Sequence, residues 1–268
     1  MTKGQEASKK RIISIDIDTG SYPSFIERIA TLAARRQSSY VCVANVHMVV
    51  EAHADSRYAA IVNGADLVTP DGMPLCKAMT LLHGNEQERV AGMDLLPDLL
   101  SAASGARLSV FLYGSTEAVL AAMLQRIERE LPGLAISGSY SPPFRPVTTE
   151  EMAQEVARIN ASGAHIVLVA LGCPKQERWM AANKGLINAV MIGIGGAFPV
   201  YAGLQTRAPR LLQRLSLEWL YRLCQEPRRL FKRYLVTNSV FLWLLAVAVL
   251  RRGRNGGNRD AEPNSERR

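Results

Sequence analysis

Through roughly the first two hundred positions, short β-rich apolar runs alternate with longer stretches in which apolar residues recur three and four apart. Runs near 12–17, 40–44, 66–69, 108–113, 134–137, 166–171 and 189–194 predict strands, and stretches such as 23–35, 116–130 and 149–160 predict helices. Strand followed by helix, repeated, is the pattern of a parallel sheet wrapped by crossover helices. The predicted fold class is therefore α/β, a Rossmann-like, mostly parallel sheet with flanking helices. Three predicted strands run into loops that interrupt the pattern: Pro70-Asp71-Gly72, Gly114-Ser115-Thr116 and Gly172-Cys173-Pro174-Lys175-Gln176. Ligands in open α/β sheets sit beyond the carboxyl ends of the strands, so these loops are the expected site. The stretch 139–147, with Pro142, Pro143 and Phe144, reads either as a surface crossover loop or as a flap over that site.

After Gly203 the pattern becomes helical only. Leu211, Leu215, Leu220 and Leu223 can form an apolar stripe, Pro227 suits the first position of a following helix, and Arg222, Glu226, Arg229 and Arg233 fall on one face. Residues 235–250 carry no charge, and 240–250 are apolar without interruption between Lys232-Arg233 and Arg251-Arg252. A spanning helix needs about 17–25 apolar residues, so an interfacial or re-entrant anchor with snorkelling arginines fits better; a helix packed on the protein's own core or on a partner subunit is the alternative. The expected organisation is an α/β catalytic body (1–204), a cationic helical appendage covering the active site (205–235), an apolar membrane-associating segment (236–252) and a disordered polar end (253–268).

Charge sharpens that division. The 268 residues hold 32 Lys and Arg against 24 Asp and Glu, a formal charge of +8. Up to Leu204 there are 18 basic and 19 acidic residues; from Gln205 onward there are 14 and 5, so the basic excess belongs to the C-terminal part. An almost neutral body in a chain that is 48% hydrophobic is an ordinary globular domain, which argues against disorder and against a protein that coats nucleic acid. Cys42, Cys76, Cys173 and Cys224 are scattered, with no CxxC pair or adjoining His cluster, which points to a reducing compartment. Residues 1–11 are polar and lack the apolar run of a secretory signal, so the body is expected to stay in the cytoplasm.

Gly193-Ile194-Gly195-Gly196-Ala197-Phe198 begins like a dinucleotide fingerprint but has Phe at the third glycine, and no acidic residue follows through Ser216. GxxxxGK[ST] and GxSxG are absent, which disfavours a P-loop and a nucleophile elbow. Asp16-Ile17-Asp18 has a spacing used for divalent metals by many sugar-nucleotide enzymes, yet alternation with Ile13, Ile15 and Ile17 is also what a half-exposed strand produces. His47 with Glu51, or His53 with Asp55, lacks a third ligand at suitable spacing. Neither a cofactor nor a metal is expected. Asp71 stands out, because a carboxylate held at a strand end before a glycine is a candidate general base toward a hydroxyl.

Asp71 has company: Asn45 at another strand end, Glu88-Arg89-Val90-Ala91-Gly92-Met93-Asp94-Leu95, Gly172-Cys173-Pro174-Lys175-Gln176-Glu177, and the stretch from Glu218-Trp219 through Arg222, Gln225-Glu226-Pro227 and Arg228-Arg229-Leu230. In order and separation this set resembles the WecG/TagA/CpsF glycosyltransferases, family 26, over about residues 12–235. The resemblance implies an inverting, metal-independent transfer from a UDP-sugar donor to a polyprenyl-diphosphate-linked sugar acceptor in bacterial exopolysaccharide or envelope synthesis. It implies that Asp71 is the general base, that Asn45 and Gln176 position donor and acceptor, and that Arg89 lies near the active site. It also implies that Arg222, Arg229 and Lys232 or Arg233 cover the donor pocket, where fixed cations would offset charge on departing diphosphate. Two departures, Val43 where many members have Thr and Pro199 where Asp is frequent, bear on which sugar is used.

The expected setting is the cytoplasmic face of the bacterial inner membrane, peripheral or monotopic, against an anionic membrane surface, and a homo-oligomer is compatible with the sequence. Two other readings are a non-catalytic scaffold of a polysaccharide assembly and a basic nucleic-acid-binding protein. Against the latter, the arginines alternate with leucines and lead into an uncharged apolar run, a lipid-surface pattern.

Overall fold

The structure is a computed structural model that describes residues 8–209, 211–212, 217–225 and 227–256, the side chains of 222, 228–230, 232, 233 and 253–256 excepted. Its centre is a six-stranded, all-parallel sheet in the order β4-β3-β8-β7-β5-β6. The strands are β3 (Ser39–Ala44), β4 (Leu67–Pro70), β5 (Val110–Gly114), β6 (Ile136–Tyr140), β7 (Ile166–Ala170) and β8 (Val190–Gly193). Period-two alternation splits each strand between two cores. In β3, Tyr40, Cys42 and Ala44 face one layer while Val41 and Val43 face the other. The first layer holds α2 (Val46–Ala54), α3 (Ser56–Asn63), α4 (Met73–His83), α7 (Thr149–Ala161) and α8 (Lys175–Asn183). The second holds α1 (Tyr22–Ala34), α5 (Gly92–Gly105), α6 (Glu117–Glu130) and the short α9 (Phe198–Tyr201). This bears out the α/β, Rossmann-like expectation.

The first predicted strand is different. Instead of joining the sheet, it breaks into an antiparallel hairpin, β1 (Lys9–Ile12) and β2 (Ile15–Asp18), turning at Ile13 with φ 58°. Ile12, Ile15 and Ile17 are all buried, so apolar alternation survives the turn and conceals it in the sequence. The hairpin protects the sheet's edge strand β4. Asp18 accepts the Val68 N–H at 2.8 Å and pairs with Arg28 at 2.6 Å, which stops that edge from pairing elsewhere.

After α9, residues 202–209 form turns and loop, and from Glu218 onward the described chain is helical: α10 (Glu218–Gln225) and a 30-residue helix, α11 (Pro227–Gly256). Helix α11 runs unbroken across positions 235/236 and takes in 253–256; the rest of the expected polar end, 257–268, lies outside the described residues. Thr237, Phe241 and Leu244, spaced four and three apart, are buried where α11 packs on α2 and α4. Leu235, Val236, Leu242, Trp243 and Leu250 point outward and are exposed. Tyr234–Arg252 is long and apolar enough to cross a membrane by length and composition.

Candidate active site

Four adjacent strands, β4, β3, β8 and β7, deliver their carboxyl ends to one cleft of about 500 Å³. Asp71 follows Pro70 of β4, Asn45 follows Ala44 of β3, Ile194 and Gly195 follow β8, and Gly172 lies just beyond β7; all line the cleft. The Asp71 N–H donates to the Ala44 carbonyl at 2.6 Å, continuing the sheet's bonding to the catalytic-candidate carboxylate. Gly72, at φ 101°, then turns the chain directly into α4, a conformation that any side chain would strain. Asn45 caps α2: its Oδ1 accepts the Met48 N–H at 3.2 Å, so the amide NH2 is its remaining donor.

The loop that carries Arg89 is tied at both sides. Glu88 accepts the Tyr22 N–H at the start of α1 at 2.5 Å, and the Val90 N–H donates to the Pro70 carbonyl at 2.9 Å, which places Arg89 beside Asp71 on the cleft wall. Helices α4, α5 and α8 begin at the cleft without side-chain caps, so their terminal N–H groups and dipoles favour an anion there. Of the three predicted site loops, Gly114–Thr116 stays outside, because β5 lies beyond the four contributing strands.

Gln176 lines the cleft with its amide already committed. Its Oε1 accepts the Gly172 N–H at 3.2 Å and its Nε2 donates to Glu177 Oε1 at 2.8 Å. A Cβ on Gly193 would lie 2.9 Å from the Gln176 Nε2, and one on Gly195 would lie 3.0 Å from its Oε1. The Gly-x-Gly that begins like a dinucleotide fingerprint therefore makes room for a side-chain amide. Glu177 is wholly buried, and burial raises its carboxyl above the ordinary carboxylate range. Tyr58 Oη lies 3.3 Å from Cys173 Sγ next to it, and burial pushes both the Tyr58 and Cys173 groups up.

Arg89 joins the body to the C-terminal helices. Its Nη1 donates to Glu218 Oε2 of α10 at 2.5 Å and its Nη2 to Asp94 Oδ2 at 3.1 Å, while Arg207 reaches Asp94 Oδ1 at 2.7 Å. The hydrogen bond to Asp94 holds the Arg207 guanidinium above its ordinary pKa. Trp219, Tyr234, Thr237 and Asn238 complete the wall from α10 and α11. Arg222, Arg229, Lys232 and Arg233 belong to these helices by backbone, and their side chains lie outside the described ones.

Sequence reasoning missed Glu218 as Arg89's partner, and it missed Thr237 and Asn238, which sit inside the segment read as apolar. Their signal was present, since Thr237, Asn238 and Ser239 are the only polar residues between 235 and 250. Asp16 pairs with Arg11 at 3.1 Å, and with Asp18 spent on Arg28 both carboxylates serve the hairpin. His47 lies on the cleft 3.8 Å from Glu51, and Asp55 caps α3. Among the described residues no three His, Cys, Asp or Glu side chains gather as a metal site would need.

The chain is similar to known proteins over most of its length. A relative from Bacillus spizizenii, N-acetylglucosaminyldiphosphoundecaprenol N-acetyl-beta-D-mannosaminyltransferase, is 33% identical over 222 residues, covering 82% of this chain and 84% of its own. Proteins of the same name from Bacillus subtilis (34% identical; 73% and 74% covered) and Staphylococcus aureus (27%; 90% and 93%) are also similar. The profile of the "Glycosyl transferase WecG/TagA/CpsF family" matches residues 10–255. With nearly the whole chain matched and the strand-end cleft in place, the protein belongs to the WecG/TagA/CpsF family of glycosyltransferases.

Proposed function

We propose that the protein transfers N-acetylmannosamine from its UDP derivative to an N-acetylglucosaminyl diphosphate carried on a polyprenol, by a metal-independent single displacement that inverts the anomeric carbon. The donor and acceptor sugars follow the relatives' names; the observation that carries the mechanism is Asp71, fixed at the end of β4 on the cleft floor. Asp71 takes the proton from the acceptor hydroxyl as that oxygen attacks the anomeric carbon, and the bond from that carbon to the diphosphate oxygen breaks with its electron pair leaving on UDP. Asn45 would orient the sugars through its amide NH2. Arg89, the uncapped starts of α4, α5 and α8, and Arg222, Arg229, Lys232 and Arg233 would offset charge on the departing diphosphate. Gln176 acts by holding the Gly172 loop against β8.

The outward apolar face of α11 supports a setting at the cytoplasmic face of the inner membrane, with anionic lipid drawing the basic C-terminal part to the surface. The test is Asp71→Asn, assayed with UDP-N-acetylmannosamine and the polyprenyl-diphosphate acceptor. Turnover should fall by about 10²–10⁴-fold, the usual worth of a general base, while UDP binding persists. Wild-type turnover in this variant would refute the assignment.

A further inference from the structure

The apolar part of α11 contains a polar interruption that packing within the chain does not explain. Between 235 and 250 the only polar residues are Thr237, Asn238 and Ser239. Thr237 and Asn238, together with Tyr234 one turn earlier, line the cleft, whereas Ser239 is exposed. Neither Thr237 nor Asn238 has a side-chain hydrogen-bond partner among the described residues. Polar groups on the inner side of an apolar helix are costly unless something satisfies them. A hydroxyl that donates and accepts, beside an amide that does both, is a matched pair for sugar hydroxyls.

Position decides which sugar. Helix α11 presents Leu235, Val236, Leu242, Trp243 and Leu250 outward and its polar pair inward, so one helix carries both the apolar outer surface and one wall of the cleft. A soluble nucleotide sugar can enter from any open side. A lipid-anchored acceptor must bring its sugar to Asp71 along the side that abuts the lipid, which is the α11 side. Resting on the transfer reading above, we infer that Thr237 and Asn238 form the acceptor subsite, binding hydroxyls of the sugar on the lipid diphosphate and setting which acceptor hydroxyl faces Asp71.

The test measures binding and turnover separately on the full chain. Asn238→Ala and Thr237→Val are compared with Ser239→Ala, using a short-chain polyprenyl diphosphate N-acetylglucosamine as acceptor and UDP as the donor-side probe. Affinities are taken in an Asp71→Asn background, where turnover does not interfere, and KM values in the otherwise native protein. Loss of one neutral hydrogen bond predicts acceptor Kd and KM raised roughly three- to tenfold in each variant, with UDP affinity and melting temperature unchanged and Ser239→Ala like the parent. The inference is overturned if acceptor affinity is unaltered, or if UDP and acceptor weaken together. Failure of the transfer reading would show differently, as undiminished turnover in Asp71→Asn.

Discussion

Replacing Phe241 by Ala should release α11 from the body. Phe241 is 2% exposed and Leu244 7%, and with Thr237 they are the only residues of the helix buried to that degree among those described. Full burial of an apolar side chain is worth about 1.5–3 kcal/mol, so the two anchors contribute about 3–6 kcal/mol to docking. Phe→Ala in a packed site costs about 3–5 kcal/mol once the residual cavity is included. At about 1.4 kcal/mol per factor of ten, a loss of about 3 kcal/mol raises the undocked population about a hundredfold, enough to make it visible. Spin labels at Ser101 and Ser239, both exposed, with Cys224 changed to Ser, report the distance from α5 to α11. The parent should give one narrow distribution and Phe241→Ala a second, broad one, accompanied by loss of transfer. Leu242→Ala, at a neighbouring position 63% exposed, should leave the distance as it was. A single narrow distribution in Phe241→Ala would show that docking does not depend on this contact.

Gly195→Ala places a methyl 2.9 Å from the Ala170 Cα and 3.0 Å from Gln176 Oε1. Backbone cannot yield cheaply there, so kcat/KM should drop at least tenfold and stability by about 1–3 kcal/mol, read by kinetics and thermal melting. Glu177→Gln removes a buried charge while keeping an acceptor for Gln176 Nε2. The folded carboxyl is raised above 4.5, so the native protein holds its proton longer and Glu177 costs stability as pH climbs from that value through the folded pKa. The melting temperature of Glu177→Gln should therefore gain on the parent as pH rises across that window and hold its lead at neutral pH; a difference independent of pH would contradict the buried charge.

The sheet was legible because its strands other than the edge strand β6 are buried on both faces and read as apolar runs, β3, β7 and β8 most plainly. Asp71, Asn45, Arg89 and Gln176 were legible as members of an ordered motif set, and the fold brings all four to one cleft. The role of the Gly172–Glu177 stretch was less so, since which atoms a glutamine amide engages depends on glycines eighteen or so positions away. The hairpin at Ile13 carries neither Gly nor Asn to announce a turn. The Arg89–Glu218 pair joins residues 129 positions apart, a distance no local periodicity reports.

The Gln176 amide, wedged between Gly193, Gly195, Gly172 and Glu177, divides the cleft into a part that resists change and a part that admits it. A side chain at Gly193 or Gly195 would press on the amide, and replacing Glu177 would alter its acceptor, so this part of the floor drifts most readily through coordinated replacements. Thr237 and Asn238 make no side-chain hydrogen bond among the described residues, and the helix that carries them is seated by a few apolar contacts. New sugar preferences are thus more readily reached by changes in α11 than in the strand ends, and an engineer seeking to alter what this fold accepts would begin with the wall and leave the floor alone.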